Sequence, residues 1–216
     1  ITSLNYVINN SPNEAIYDLE VFNHAGTPYI EEQLGELTFR IGPKSFYQTN
    51  SQQAKRLYDV ALDFARLTGK EMVYDLYTGI GTIAMYMSRH CSKVVGVESV
   101  PEAIEDAYAN AQLNGINNCE FVVGDMRHVF TPAFITRHGS ADVVITDPPQ
   151  AGMHPKVVET LLNSGVPRIV YISCNPTTQA RDLQVLTEKY TIKKVQPVDM
   201  FPQTYHIENV VLLELD

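Results

Sequence analysis

The chain has 216 residues, more than one minimal domain and less than two average ones, so one large α/β domain with a short appendage is the expected organisation. With 44% hydrophobic and 19% charged residues and only 12 Gly and 12 Pro it is not disordered, collagenous or low in complexity, and no run approaches the ~18 apolar residues of a membrane span. A net charge of −9 argues against nonspecific polyanion binding, and Cys91, Cys119 and Cys174 lack C-x-x-C spacing, which excludes a disulfide framework and a zinc or iron–sulfur site from this chain alone.

The N-terminus lacks the basic-then-apolar order of a signal peptide, so a soluble cytoplasmic protein with no membrane contact is expected. Ile1 in place of Met suggests an internal start. Acidic charge is concentrated early: Glu14, Asp18, Glu20, Glu31, Glu32 and Glu36 face only Arg40 within the first forty residues. Lys44, Lys55, Arg56, Arg127, Lys156 and Arg181 are the local bases that could meet a phosphate backbone, with solvated surface charge as the competing reading.

Residues 1–41 alternate short β-rich runs, Tyr6 to Asn9, Ile16 to Phe22, Tyr29 to Ile30 and Leu37 to Ile41, with turn signals, and read as one small antiparallel sheet. From Asn50 the spacing turns helical, with Ala54, Leu57, Tyr58, Ala61, Leu62 and Ala65 on one face, ending at Thr68-Gly69. Strands and helices then alternate: a strand over Met72 to Leu76, a helix over Thr82 to Ser88, a strand over Lys93 to Glu98, and a helix over Pro101 to Leu113. Cys119 to Val123, Ala141 to Thr146 and Arg168 to Ser173 are further buried strands, separated by helical stretches over Met126 to Ile135 and Lys156 to Leu162. Asn175 to Tyr190 reads as a helix, Thr191 to Val195 as a sixth strand and Ile207 to Leu215 as a seventh. The link over Gln196 to His206 is too short for a crossover, so the last strand is expected to return antiparallel. A parallel sheet closed by an antiparallel seventh strand is, by analogy of fold, the methyltransferase variant of the nucleotide-binding sheet.

Asp75 to Thr82 (DLYTGIGT) ends a strand in an acid and brings glycine backbone to a helix N-terminus. That turn alone is weak. An acid also ends each following strand: Glu98, Asp125 and Asp147. Ligands in open α/β sheets bind at those carboxyl ends. An adenosine carrying a charged methionine side chain needs a carboxylate for its ribose (Glu98), a polar group near its adenine (Asp125) and an acid facing its ammonium or sulfonium (Asp75), which favours S-adenosylmethionine over a dinucleotide. For each acid, capping of the next helix is the competing structural reading.

Asp147-Pro148-Pro149 is a rigid strand-ending turn of the kind methylases place beside planar targets, but Gln150 follows where amino-methylases usually carry an aromatic residue. Cys174 lies just before a helix opened by Pro176, where the positive dipole end lowers a thiol pKa from its usual ~8.5. It is the candidate nucleophile; Cys91 and Cys119 lack that setting. Glu208 begins an otherwise apolar strand, where burying a carboxylate is costly without a task. If the last strand is antiparallel, Asp147, Cys174 and Glu208 share one rim. Those groups suit addition of a thiolate to carbon 6 of uracil, methylation at carbon 5 and loss of the carbon 5 proton to a base. Asp147 would bond the uracil edge or the cofactor, and the base would have to leave its stack.

These residues resemble the RNA uracil-5 methyltransferases, which make 5-methyluridine in tRNA and 23S ribosomal RNA, most like the ribosomal branch. The resemblance runs from about Gly42 to the C-terminus through Ser45-Phe46-Tyr47-Gln48-Thr49-Asn50, Asp75 to Gly81, Val97-Glu98, Asp147-Pro148-Pro149, Ser173-Cys174-Asn175-Pro176 and His206-Ile207-Glu208. It implies a seven-stranded doubly wound, Rossmann-like methyltransferase sheet over residues 42–216, preceded by a β-rich remnant of a central region over residues 1–41. It implies further that Gln48, Tyr77, Glu98 and Asp147 line the S-adenosylmethionine site with Asp125 near the adenine, Cys174 as nucleophile and Glu208 as proton acceptor. The implied partner is an RNA substrate, ribosomal RNA ahead of tRNA. No metal is implied for this fragment, although a missing N-terminal region would carry an RNA-binding barrel and a four-cysteine iron–sulfur cluster. The chain departs from the family pattern at Gln150, where Arg usually follows the two prolines. Two other readings remain open at this point. A cytosine-5 RNA methylase shares the thiol adduct, but no cysteine follows Asp147. A noncatalytic RNA-binding domain of the same fold is made thinkable by Gln150.

Overall fold

The computed structural model describes residues 1–12, 16 and 19–216. In chain order its elements are β1 (Ser3–Val7), β2 (Val21–Gly26), β3 (Ile30–Leu34), β4 (Leu37–Ile41), α1 (Ser51–Ala65), β5 (Met72–Leu76), α2 (Thr82–Ser88), β6 (Lys93–Glu98), α3 (Pro101–Leu113), β7 (Cys119–Val123), α4 (Met126–Val129), α5 (Pro132–His138), β8 (Val143–Thr146), α6 (Pro155–Ser164), β9 (Arg168–Ser173), α7 (Pro176–Leu186), β10 (Tyr190–Val198) and β11 (Glu208–Leu215). The main sheet has seven strands in the order β10-β11-β9-β8-β5-β6-β7. β9, β8, β5, β6 and β7 pair in parallel, and β11 inserts antiparallel to both β9 and β10, as its short link requires.

Strand order reverses at β5: β6 and β7 build outward on one side, β8 and β9 on the other. The chain leaving β5 and the chain leaving β8 therefore diverge and open a crevice at the carboxyl ends of the strands. The inner strands β5, β6, β8 and β9 are covered on both faces and are therefore almost continuously apolar rather than alternating, whereas the edge strand β10 is largely exposed. Val73, Ile145, Val170, Ile172, Val210 and Leu212 meet α1, α2 and α3, while Tyr74, Leu76, Val144, Tyr171, Val211 and Leu213 form the second core with α5, α6 and α7.

α1 carries its buried residues Ala54, Leu57, Tyr58, Ala61, Phe64 and Ala65 at helical spacing, is capped where Asn50 Oδ1 accepts the Gln53 N–H at 3.2 Å, and stops at left-handed Arg66. Truncating Leu57, which is fully buried, to Ala would cost about 3 kcal/mol.

The early residues form two separate hairpins, β1–β2 and β3–β4, not one sheet. The expected run over Ile16 to Phe22 lies partly outside the described residues. β3–β4 places Leu34, Leu37, Phe39 and Ile41 in the first core. Its backbone is completed by α3: Asn110 Oδ1 accepts the Arg40 N–H at 2.7 Å and its Nδ2 donates to Arg40 O at 3.0 Å, and Asn114 treats Thr38 in the same way at 2.9 and 2.7 Å.

Several boundaries differ from expectation: β1 is Ser3–Val7, β8 begins at Val143 and α6 spans Pro155–Ser164, and three further differences have local reasons. The stretch over Met126 to Ile135 breaks into α4 and α5 because Pro132 opens a new helix and Thr131 caps it. α7 stops at Leu186, and Tyr190 already belongs to β10. β10 continues through Pro197, which an edge strand tolerates since the missing N–H faces no neighbour. Among the described residues no helix is long and apolar enough to cross a membrane.

Candidate active site

A cavity of about 1240 Å³ opens along the carboxyl ends of β5, β6, β7, β8 and β9. Gln48, Tyr77, Glu98, Asp125, Asp147, Cys174 and Glu208 all line it. The segment carrying Gln48 is held against the opposite wall by Asn50, whose Nδ2 donates to Met200 O at 2.9 Å.

The turn after β5 is built on unusual backbone. Tyr77 adopts φ 68°, a left-handed conformation that a bulky residue holds only when its surroundings impose it, and the N–H groups of Tyr77 and Thr78 both donate to Val97 O at 3.0 Å. Gly79 is left-handed too, and its N–H donates to Glu98 Oε2 at 3.1 Å. Glu98 Oε1 accepts the N–H groups of Ser99 and Val100 at 2.6 and 3.1 Å and the Ser99 hydroxyl at 2.9 Å. The carboxylate thus secures the entry to α3 and still presents Oε2, with a single bond, to the cavity.

Asp125 has the same double character. It caps α4 by accepting the Arg127 N–H at 2.9 Å and pairs with the Arg127 guanidinium, which holds its carboxyl well below the usual carboxylate range. Asp75 does not reach the cavity. It is fully buried beneath the turn, its Oδ2 accepts the Thr78 hydroxyl at 2.5 Å, its Oδ1 has no hydrogen-bond partner, and burial raises its pKa to about 7. The expectation that it faces a ligand cation is corrected: it lies one residue short of the end of β5, opposite Gly96 and so two residues deeper than Glu98 on the same face of the sheet, with Thr78 of the turn bonded over it.

At the other end of the cavity Asp147, Cys174 and Glu208 converge. Asp147 leaves β8 beside β5, its N–H donating to Leu76 O at 3.3 Å, and burial together with Glu208 and Asp75 pushes its carboxyl well above the usual range. Glu208 is 9% exposed, its Oε2 has no hydrogen-bond partner, and burial lifts its pKa to about 7. The Cys174 thiol is raised by burial and by the neighbouring Glu208 and Asp147 carboxyls. This reverses the lowering expected from the helix dipole: Pro176 opens α7 as expected, with Asn175 capping it, but burial first and the two acids second act against the half charge at its N-terminus.

The loop after Asp147 is strapped to α7. Gln150 O accepts Asn175 Nδ2 at 3.1 Å and the Thr178 hydroxyl at 3.0 Å, and Met153 N–H donates to Asp182 Oδ2 at 2.8 Å. Gly152 is left-handed, and a Cβ there would lie 2.6 Å from Arg181 Nη2.

Phe46 and His206 also line the cavity, with Phe46 72% exposed. The sequence shows Phe46 only inside a motif, since an exposed phenyl beside a cavity carries no periodic signal. Of the local bases, Lys44, Arg127 and Arg181 reach the cavity, each facing an acid: Glu102 at 3.7 Å, Asp125, and Asp182 at 2.7 Å. The arrangement offers a long, mostly apolar trough with acids at both ends, and one thiol and two poorly solvated carboxyls, Asp147 and Glu208, together at the β8–β9–β11 end.

Residues 25–216 match the family model described as tRNA (Uracil-5-)-methyltransferase. An uncharacterized RNA methyltransferase of Bacteroides thetaiotaomicron is 60% identical over 215 residues, covering 100% of this chain and 47% of that protein. One of Porphyromonas gingivalis is 57% identical over 215 residues, covering 99% and 46%. The solved structure of Pyrococcus abyssi tRNA (uracil-54, C5)-methyltransferase in complex with S-adenosyl-L-homocysteine matches with a TM-score of 0.82 and 36% identity, over 98% of this chain and 50% of that one. The chain spans about half the length of the curated relatives it matches.

Proposed function

The chain belongs to the tRNA (uracil-5-)-methyltransferase family, and from that premise we propose that the whole protein methylates carbon 5 of uracil in RNA with S-adenosylmethionine as methyl donor. Cys174 is the nucleophile and Glu208 the base in this reading. Residues 42–216 are then the catalytic portion, and residues 1–41 belong to a central region.

The residues present fit the cofactor. Glu98 Oε2 bears one hydrogen bond and keeps lone pairs for a ribose hydroxyl. Asp125 stands at the next strand end for the adenine side, and Tyr77, Gln48 and Asp147 complete the trough toward the methionine end. At about 1240 Å³ the cavity exceeds the ~300–1,000 Å³ of most small-molecule sites, leaving room for a nucleobase beside the cofactor. When bound, S-adenosylmethionine supplies an electrophilic methyl group and the positive charge of its sulfonium, and S-adenosylhomocysteine is what remains.

The chain's own groups do the rest. Cys174 gives up its proton to solvent water at the open mouth of the cavity and its sulfur bonds to carbon 6 of uracil, which moves an electron pair onto carbon 5. Once carbon 5 carries the methyl group, Glu208 takes the proton from that carbon. The freed pair restores the double bond between carbons 5 and 6, and the bond from carbon 6 to sulfur breaks to release Cys174. A carboxyl raised to about 7 is matched to that task at neutral pH, whereas an ordinary exposed glutamate would be a weaker base. Asp147, whose carboxyl is pushed well above the usual range by burial and by Glu208, is the hydrogen-bonding partner for the uracil edge or the cofactor. The exposed Phe46 ring offers a stacking face for a base brought out of its helix.

The single observation that carries this reading is the meeting of Asp147, Cys174 and an unpartnered Glu208 oxygen in one cavity. We propose 23S ribosomal RNA as the substrate, the branch the motifs resemble. The test incubates the full-length protein with methyl-labelled S-adenosylmethionine and unmodified 23S ribosomal RNA or tRNA, then maps the label. Label at carbon 5 of a uridine in ribosomal RNA is expected, with none after Cys174→Ala. Label confined to tRNA would move the substrate, and efficient transfer by Cys174→Ala would remove the mechanism.

A further inference from the structure

α7 buries three residues on the sheet, Gln179, Asp182 and Leu186, and the first two are polar. Packing alone would be served by aliphatic side chains at this spacing, and an unbonded amide would be costly to bury. Gln179 is 1% exposed and fully engaged. Its Nε2 donates to Tyr171 O of β9 at 2.9 Å and to Asn209 O of β11 at 3.2 Å, while its Oε1 accepts Asn209 Nδ2 at 2.7 Å.

The place of this clasp is what gives it meaning. On the β9 side, pairing of β11 begins at Asn209 opposite Ser173. Cys174 and Glu208 each stand one residue beyond that pair, where the ladder no longer holds them together. Gln179 ties β11 at Asn209 to β9 and to the same helix whose N-terminus follows Cys174.

We propose that Gln179 is a positioning residue that, through its reciprocal amide pair with Asn209, fixes the spacing between Cys174 and Glu208. This rests on the roles given to those two residues above. It acts on the geometry of two reacting groups rather than on either ligand, so its loss weakens turnover and leaves binding intact. It also delays proton removal more than thiol addition, because β11 is the freed partner.

The test replaces Gln179 by Leu, of similar size, in the full-length protein. Three readouts are taken: amide hydrogen exchange, steady-state methylation of in vitro transcribed 23S ribosomal RNA and tRNA, and protein–RNA adducts on denaturing gels. Exchange is expected to accelerate at Glu208 to Val210 and at Cys174 and Asn175, with Leu212 and Leu213 unchanged. Because displacement of reacting groups by about 1 Å costs on the order of 100-fold in rate, kcat should fall by roughly that factor with KM for RNA and cofactor unchanged. Adducts should accumulate.

Uniform acceleration of exchange along β11, or kcat within about twofold of the parent, would overturn the proposal. Parent protein inactive on both RNAs would count against the reading of Cys174 and Glu208 instead, and exchange alone would then decide for or against the clasp. If Gln179→Leu does not fold, Asn209→Ala breaks the same pair from its less buried side and is held to the same outcomes.

Discussion

The Tyr171 hydroxyl and the Asp182 carboxylate meet at 2.7 Å inside the second core, and the oxygen that accepts this bond also accepts the Met153 N–H at 2.8 Å. One buried acid thus joins β9, α7 and the loop after Asp147. Arg181 covers its other oxygen at 2.7 Å, from a side chain 55% exposed. Tyr171→Phe removes one of these bonds and leaves the acid served, so a loss of about 1 kcal/mol is expected. Asp182→Ala leaves the Tyr171 hydroxyl and the Met153 N–H unpaired together and should cost about 3 kcal/mol. Urea unfolding separates the two, and equal costs would show that the loop is not anchored through Asp182.

Gly152 tests the same strap from the loop side. With φ +78° and a Cβ that would fall 2.6 Å from Arg181 Nη2 and 2.9 Å from Asp182 Oδ2, Gly152→Ala must strain the backbone and push Arg181 away. A destabilisation of about 1–3 kcal/mol is expected, with proteolytic cleavage appearing between residues 149 and 154 before the rest of the fold is attacked. Unchanged stability together with an uncut loop would refute the strap.

How much of this was legible beforehand follows from the range over which each signal acts. β5, β6, β7 and β9 have the expected limits because strands buried on both faces are continuous apolar runs, and α3 was bounded by Pro101 and by Asn114-Gly115. Cys174, Glu208 and Asp147 were readable because each stands at the end of an apolar run in a sheet whose topology places those ends together. What could not be read depends on neighbours distant in the chain. The Cys174 thiol is raised by burial and by acids 27 and 34 residues away, at Asp147 and Glu208, none of which shows in its local sequence. Gln179 and Asn209, 30 residues apart, have no periodic pattern that would pair them. Asp75 and Glu98 look alike as acids near strand ends, but the register sets Asp75 opposite Gly96, two residues deeper than Glu98 on the same face, and that depth is invisible in the sequence.

Burial holds the Glu208 pKa near 7, above the ordinary value of 4.5, and that has a signed consequence. A carboxyl raised in the folded protein favours folding below its unfolded pKa, and the advantage is lost as pH climbs through the folded value. Between about pH 4.5 and 7 the parent should therefore lose stability relative to Glu208→Gln, on the order of 3 kcal/mol in total. The same group must be ionised to act as a base, so kcat/KM should rise with pH to a plateau above about 7. Parallel stability curves for parent and variant would contradict the raised pKa; a rate limb centred near 4.5 would contradict the assignment of Glu208 as base.

The three cysteines should separate by alkylation. Burial pushes Cys91 to about 11 and Cys119 to about 12, whereas Cys174 lines the open cavity and owes part of its rise to Glu208 and Asp147. With iodoacetamide at pH 8 the Cys174 peptide is expected to be modified first but slowly. Glu208→Gln, by removing one neighbouring negative charge, should speed it roughly threefold. Mass spectrometry of the digested protein reads the order, and an unchanged rate in that variant would mean that the carboxylate does not act on the sulfur.

Glu98 makes two kinds of contact, and they can be pulled apart. As a structural group it accepts the Ser99 and Val100 N–H groups just before α3, and loss of such bonds costs about 1 kcal/mol. As a ligand it would accept a ribose hydroxyl through Oε2, a charge-assisted bond of about 1.5–3 kcal/mol, or roughly 10- to 150-fold in affinity. Glu98→Ala removes both. Ser99→Ala removes only the hydroxyl donor to Oε1 and leaves Oε2 as it is. If the carboxylate binds the cofactor, calorimetric titration with S-adenosylhomocysteine should weaken at least tenfold in Glu98→Ala and hardly at all in Ser99→Ala, although both are less stable than the parent. Equal affinity in the two variants would leave Glu98 with its backbone bonds before α3 and nothing more, because fold stability alone cannot distinguish a carboxylate that holds a turn from one that also holds a sugar.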